Sequence, residues 1–165
     1  MKFLIISLLL ISTGAWSQAS THHHNNKGLQ KLGDTELKLL RIVLKKNDEL
    51  FNALLKENQN EVEGAARTLG GILNKIKTPS LKRLQASKTD LSKISGDNSK
   101  EQNLKAYEGF VVALVDAVEN YQPDSNYYVF FCPMIKKSWI QDVRTNRSVK
   151  NVFAQSMLEC GERRP

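Results

Sequence analysis

Histidine is scarce in this sequence, and its placement limits the possible enzyme classes. The 165 residues contain three histidines, which are consecutive as His22–His24. Hydrolases with a serine or cysteine nucleophile need a histidine in the folded region. A glycine-rich phosphate loop and the His-Glu-x-x-His zinc motif are also missing. The sequence therefore predicts a protein that is not an enzyme.

Long apolar runs are also scarce, and the one that occurs lies at the N-terminus. Phe3–Ile11 follows the cation Lys2 and precedes small-x-small sites that end at Ser17 and Ala19. This pattern is typical of a secretory signal peptide, and the run is about half of what a bilayer span needs. We expect residues 1–19 to be a signal peptide, with cleavage after Ser17 or Ala19, and a periplasmic or secreted protein without a membrane span after cleavage.

Positive charge exceeds negative charge, but it is not concentrated. The sequence has 24 Lys and Arg against 17 Asp and Glu, a formal net charge of +7. The lysines are scattered along helix-like segments, and no nucleic-acid recognition motif accompanies them. We therefore expect no nucleic-acid partner.

The middle of the chain has helical periodicity. Residues 20–33 are polar and predict a disordered leader that contains the histidines. Residues 34–162 predict one mainly α domain, an antiparallel four-helix bundle followed by a short extended, hairpin-like C-terminal segment. Asp34 or Thr35 is the expected first N-cap, Asn58 the second, and Ser99 with Gln102 has the capping-box pattern. The helical segments carry apolar residues at three- and four-residue steps, namely Leu37 to Leu55, Val62 to Ile76, Leu81 to Ile94, and Leu104 to Tyr121.

The pattern changes after Pro123. Tyr127–Cys132 is aromatic and β-branched and predicts a buried strand, and Lys137–Gln141 predicts a second one. Val152–Glu159 predicts one or two helical turns, with Gly161 as the C-cap.

Cysteine occurs only twice, as Cys132 and Cys160. In an exported protein a disulfide between them is the default expectation. A second interpretation is a site for Cu(I) or Ag(I), because these soft ions prefer thiolate and thioether sulfur and each cysteine has a nearby methionine. Met134 would share a side with Cys132 in an extended chain, and Met157 would share a helix face with Cys160. The four predicted metal ligands are Cys132, Met134, Met157 and Cys160.

The leader gives a separate metal hypothesis. Cleavage after Ala19 would place His22 third in the mature chain, where an amine, two deprotonated backbone amides and an imidazole can form a square-planar site for Cu(II) or Ni(II). Cleavage after Ser17 would abolish this secondary site.

The C-terminal motifs resemble those of a small bacterial domain of uncharacterised function. That domain occurs alone in exported proteins and attached to the membrane-fusion subunits of copper and silver efflux pumps. The resemblance covers residues 35–162, and the proline of the usual Asn-Pro-Tyr motif is Val152 here. The matching motifs are Cys132-Pro133-Met134, Trp139-Ile140, Asn151-Val152-Phe153 and Met157-Leu158-Glu159-Cys160-Gly161.

The resemblance implies a helical domain with a link to copper or silver handling in the cell envelope. The leading functional prediction is an exported Cu(I) or Ag(I) module whose partners are envelope metal-efflux or metallochaperone proteins. The alternative is a disulfide-stapled structural or interaction module of the envelope that holds no metal.

Overall fold

The computed structural model describes residues 30–164, which form a mainly helical region followed by a three-stranded antiparallel sheet. Two short 3-10 helices, Pro79–Leu81 and Gln155–Met157, complete the regular structure of these residues. The helices are α1 (Asp34–Lys56), α2 (Gln59–Leu73), α3 (Lys82–Ala86), α4 (Lys88–Leu91) and α5 (Lys100–Tyr121), and the strands are β1 (Tyr127–Cys132), β2 (Lys137–Asp142) and β3 (Glu162–Arg163).

Helices α1 and α2 are joined by two residues, which end one helix and begin the next. Glu57 adopts a left-handed conformation with φ 58°, and its N–H donates to the carbonyls of Ala53 and Leu54. The side chain of Asn58 then accepts a hydrogen bond from the N–H of Glu61, as the sequence predicted for this N-cap. The first N-cap is Gly33, so the prediction of Asp34 or Thr35 was wrong by one or two residues.

The third helical segment is interrupted. Pro79–Leu81 forms a 3-10 turn, and α3 and α4 follow it, separated by Ser87. The Ser87 hydroxyl donates to the carbonyl of Leu84 at 2.7 Å. A serine side chain that bonds to the nearby backbone in this way competes with the backbone hydrogen bonds of a continuous helix. The short helices still bury Leu84 and Leu91, so together they act as one of the four predicted helical segments.

Helix α5 begins with the predicted capping box. The Ser99 hydroxyl accepts from the Gln102 N–H at 3.3 Å, and the Gln102 side chain accepts from the Ser99 N–H at 2.8 Å. Inside the helical core, the buried Tyr107 hydroxyl donates to Asn47 Oδ1 on α1 at 3.0 Å. Burial raises the pKa of Tyr107 far above its ordinary value, so the hydroxyl stays a donor.

The sheet has the strand order β2-β1-β3. Strands β1 and β2 form the predicted hairpin, in which Val129 faces Ile140 and Phe130 faces Trp139. The third strand was not predicted from the sequence. Its two residues are exposed and polar, which leaves no alternation of apolar residues to reveal them.

The predicted helix at Val152–Glu159 was wrong in extent. Only Gln155–Met157 is helical, and as a single 3-10 turn. The role predicted for Gly161 was also wrong, because its φ is not positive and it follows no α-helix.

One hydrophobic core joins the helices and the sheet. Phe51, Phe110, Trp139 and Ile140 each have no exposed surface. The two ends of the described chain both contact the C-terminal end of α5. The Gln30 N–H donates to the Asn120 carbonyl at 3.1 Å, and the Arg164 guanidinium pairs with Glu119 at 3.0 Å.

Among residues 30–164, no helix combines the length and the apolar character needed to cross a bilayer. The predicted signal peptide at 1–19 lies outside the described residues, as does the predicted leader up to residue 29.

Candidate functional site

Both cysteines are joined in a disulfide, which was one of the two alternatives left open by the sequence. Cys132 is the last residue of β1 and is completely buried, whereas Cys160 lies two residues before β3 and is partly buried. Their Cα atoms are 5.6 Å apart. The bond therefore attaches the C-terminal segment to the end of the central strand. A disulfide is consistent with an extracytoplasmic protein, since such bonds persist in oxidising compartments.

Asn151 holds the loop that presents Cys160. It has no exposed surface, and its Nδ2 donates to the Cys160 carbonyl at 2.9 Å. Its backbone N–H donates to the Leu158 carbonyl at 2.6 Å, and its Oδ1 accepts from the Phe153 N–H at 3.0 Å. A buried amide with these partners fixes the loop, because leaving any of its polar groups unpaired would be costly. The sequence marked Asn151 as a motif residue but did not predict this role.

Trp139 and Gly161, the residue after Cys160, pack against each other. Trp139 is fully buried and stacks on Phe130 with ring centroids 5.9 Å apart. A Cβ atom at Gly161 would lie 2.5 Å from Trp139 Cη2 and 3.1 Å from Val149 Cγ1. Position 161 is therefore restricted to glycine by the close approach of the indole ring.

Gln141 fixes the loop that follows β2. Its Nε2 donates to the carbonyls of Asn146 and Ser148 at 2.6 and 2.7 Å, and its Oε1 accepts from the Lys150 N–H at 3.1 Å. This residue was not recognised in the sequence. The available signal was weak, because Gln141 follows the apolar pair Trp139 and Ile140 in a strand that also contains other polar residues; a glutamine buried there requires hydrogen-bond partners.

The methionines occupy different environments. Met134 lies in the turn after β1, and its side chain is 72% exposed. The prediction that Met134 shares a side with Cys132 required an extended chain up to residue 134, and this condition is not met. Met157 is half-buried at the end of the 3-10 turn, and its carbonyl accepts from the Cys160 N–H at 2.9 Å. The structure thus brings together the two cysteines and places Met157 close to Cys160 along the chain. His22 lies outside the described residues.

The oxidised sulfurs lack the chemistry that the predicted Cu(I) or Ag(I) site needs. A metal-binding cysteine is a thiolate, and the sulfurs of a disulfide carry no such charge. In the part of the chain that the structure describes, no group of three or more His, Cys, Asp or Glu side chains is arranged to hold a metal ion. Metal binding by Cys132, Met134, Met157 and Cys160 would therefore belong to the reduced protein.

No protein-family model, curated protein or solved structure matches this chain. The similarity to the domain attached to copper and silver efflux subunits thus stays a prediction from the C-terminal motifs.

The two loops joined by the disulfide each expose a large apolar side chain. We call these two loops together the stapled tip, and they consist of residues 133–136 and 155–159. Its exposed apolar residues are Met134, at 72%, and Leu158, at 40%. Lys136 and Glu159 are exposed on the same loops, so these loops carry charges of both signs beside the apolar residues in sequence.

A cluster of polar side chains connects the end of β2 and the residues that follow it to α1. Hydrogen bonds from Arg144 hold the pKa of Asp142 below its usual range. Burial, followed by repulsion from Asp142, raises the pKa of Asp48, whose carboxylate accepts from the Thr145 hydroxyl at 3.3 Å. Burial also raises the pKa of Tyr127 to about 12. These groups lie around a cleft of about 450 Å³, and their mutual pairing indicates a structural role.

Proposed function

We propose that the chain is a periplasmic or secreted, disulfide-stapled module that binds another protein of the cell envelope through the stapled tip. The observation that supports this most directly is the exposure of Met134 and Leu158 on the two loops that the disulfide joins. Methionine is adaptable and is frequent at binding surfaces. The oxidised module holds no metal.

The disulfide suits such a surface energetically. Binding is opposed by the entropy lost when loops become ordered, so a surface that is ordered beforehand binds more tightly. The crosslink restricts both loops before any partner arrives. Lys136 and Glu159 are exposed charged residues on the same two loops, and protein interfaces usually combine apolar contacts with charged and polar residues at their edge.

A photocrosslinking experiment in the native organism tests this function. A photoreactive amino acid replaces Met134 or Leu158 in the exported protein. It replaces Ile42 or Val112 in matched controls, since these are also exposed apolar residues, at 46% and 44%. We expect a discrete adduct from the tip positions alone.

Two results of this experiment would contradict the proposal. Equal labelling at all four positions, or no adduct at the tip, would exclude the tip as the binding surface. Combining the tip crosslinker with Cys132→Ser and Cys160→Ser should weaken the adduct, because the two loops are then no longer held together.

The reduced chain supports a second candidate function, the binding of Cu(I) or Ag(I). The disulfide holds the two sulfur atoms within bonding distance, so reduction leaves two neighbouring thiols, which lose their protons when a soft metal ion binds them as thiolates. Soft monovalent ions prefer such ligands, and the Met157 thioether lies three residues before Cys160. Envelope metal-efflux or metallochaperone proteins would be the partners of this form.

A competition titration tests metal binding. The reduced protein without residues 1–19 is titrated with Cu(I) against a coloured chelator. We expect stoichiometric uptake, its loss in Cys132→Ser or Cys160→Ser, and weaker uptake in Met157→Leu. Met134→Leu shows whether the exposed turn contributes a fourth ligand. Failure of the reduced protein to compete would end this hypothesis.

A further inference from the structure

The excess of positive charge is concentrated in one part of the fold, contrary to the expectation from the sequence. Between Glu63 and Asp90 the chain has six Lys and Arg and no Asp or Glu, whereas the other described residues have 16 Lys and Arg against 17 Asp and Glu. We call residues 64–89 the basic segment. The net positive charge of the described chain therefore comes from this segment. Its cations are Arg67, Lys75, Lys77, Lys82, Arg83 and Lys88.

The fold turns the apolar side chains of the basic segment inward and leaves its cations at the surface. The segment contains the C-terminal part of α2, the 3-10 helix Pro79–Leu81, α3 and the beginning of α4. Five of its six cations are exposed, and Lys88 is partly exposed. The segment exposes no large apolar side chain. Its buried apolar residues are Ala66, Leu69, Leu73, Ile76, Leu81 and Leu84.

Contacts within the segment bring cations from separate elements together. Helices α3 and α4 both pack against α2. The Lys88 Nζ donates to Oδ1 of Asn74, the C-cap of α2, at 2.8 Å, so Lys88 lies beside the residue that precedes Lys75. Arg67 and Lys88 also line one cleft of about 780 Å³ between α2 and α4. Positive charges from the two ends of the segment therefore lie on one surface.

Most of this charge is not neutralised by neighbouring acidic side chains. Arg67 pairs with Glu63, and Arg83 pairs with Asp116 at 3.4 Å. Uncompensated charge of one sign attracts ligands of the opposite sign over about one Debye length, which is about 8 Å at physiological ionic strength. The cations of the segment that form no ion pair within residues 30–164 are Lys75, Lys77, Lys82 and Lys88.

The residue types indicate which anionic partner fits. All four unpaired cations are lysines, whose compact and strongly hydrated charge needs no fixed partner geometry. Protein interfaces are depleted in lysine. The segment contains no Phe, Tyr or Trp, on which the bases of single-stranded nucleic acid stack. An anionic lipid surface needs neither feature, because its charge is spread over many headgroups and attracts any cluster of basic residues.

We propose that the basic segment docks the protein onto an anionic lipid surface. The lysines stay at the level of the headgroups, because the segment exposes no large apolar side chain to enter the hydrocarbon. Binding is therefore reversible, and salt weakens it by screening the charges. This docking depends on neither the disulfide, nor the stapled tip, nor metal binding.

A vesicle co-sedimentation experiment tests the docking. The oxidised protein without residues 1–19 is mixed with vesicles of phosphatidylcholine and phosphatidylglycerol, or of phosphatidylcholine alone. We expect binding to the anionic vesicles only, with an affinity that falls as salt is added. The variant Lys75→Gln/Lys77→Gln/Lys82→Gln should bind about 100-fold more weakly, since each lysine near an anionic surface contributes about fivefold.

A matched variant separates the basic segment from net charge alone. Lys38→Gln/Lys45→Gln/Lys56→Gln removes the same charge from exposed lysines of α1 that form no ion pair in the described residues. We expect this variant to bind within about threefold of the parent protein, because charges outside the contact are screened. Circular dichroism checks that both variants are folded.

Three results would overturn the proposal. The first is no binding to the anionic vesicles at low salt, and the second is equal weakening of binding in the two triple variants. The third is tighter binding to an oligonucleotide or to polyglutamate than to the vesicles at equal concentration of negative charge, because the lipid surface would then be the wrong partner. None of these results depends on the outcome of the crosslinking or copper experiments.

Discussion

Replacing Gly161 by alanine should destabilise the protein although the change adds only a methyl group. The new Cβ would lie 2.5 Å from Trp139 Cη2 and 2.9 Å from Cζ2, against an optimal carbon–carbon separation of about 3.5 Å or more. Trp139 is fully buried and stacked on Phe130, so it has little room to move. Overpacking of this kind costs about 1–3 kcal/mol. Alanine also lowers the entropy of the unfolded chain, which offsets this by up to about 1 kcal/mol.

The net expectation is a loss of about 1–2 kcal/mol in the free energy of unfolding. Gly70→Ala in α2 is the matched control, because nothing lies within 4 Å of the Cβ position there. That change should stabilise the protein by about 0.5–1 kcal/mol through helix propensity. Urea unfolding followed by circular dichroism measures both variants.

A double-mutant cycle identifies the clash itself. Phenylalanine lacks the Cζ2 and Cη2 atoms of the indole ring, so Trp139→Phe should remove most of the penalty of Gly161→Ala. The reasoning is refuted if Gly161→Ala is as stable as the parent protein. It is also refuted if the penalty is unchanged in the Trp139→Phe background.

Three further predictions concern the disulfide, a turn and a carboxylate. Replacing Cys132 and Cys160 by alanine should lower the free energy of unfolding by about 3–4 kcal/mol in the chain-entropy model; a midpoint of denaturation that does not shift would contradict this. Lys136 has φ 55°, so Lys136→Gly should raise the melting temperature through a gain of about 0.5–1 kcal/mol, whereas no gain would show that the turn carries no strain. Burial raises the pKa of Asp48 in the folded state. The folded protein therefore binds more protons than the unfolded chain in the pH window between the unfolded pKa of about 3.9 and the higher folded pKa. The charge of Asp48 thus lowers stability as pH rises through this window, and Asp48→Asn should be stabilising at pH 7 but not at pH 3. The same comparison with Asp142, whose pKa is lowered, should give the opposite sign at pH 7.

Local signals predicted most of the helices and two strands correctly. Ser99 with Gln102 forms the capping box, and Tyr127–Cys132 is a strand with the predicted bounds. Both depend on residues that are close in sequence, so their patterns can be read directly.

The missed features depend on contacts between distant residues. Strand β3 exists because a disulfide and the edge of β1 hold two polar residues that have no strand pattern of their own. Gly161 was assigned to a helix end, but its role is set by the indole of Trp139, which is 22 residues earlier. The choice between disulfide and metal ligands likewise required the positions of both sulfurs.

The arrangement of Gln30 and Arg164 has a consequence for larger architectures. Gln30 bonds to Asn120 and Arg164 to Glu119, so the chain enters and leaves this unit beside neighbouring residues of one helix. A unit with adjacent entry and exit points can be inserted into a surface loop of a host protein without forcing the host's chain apart. Such a unit is suited to exchange between multidomain proteins as an intact cassette.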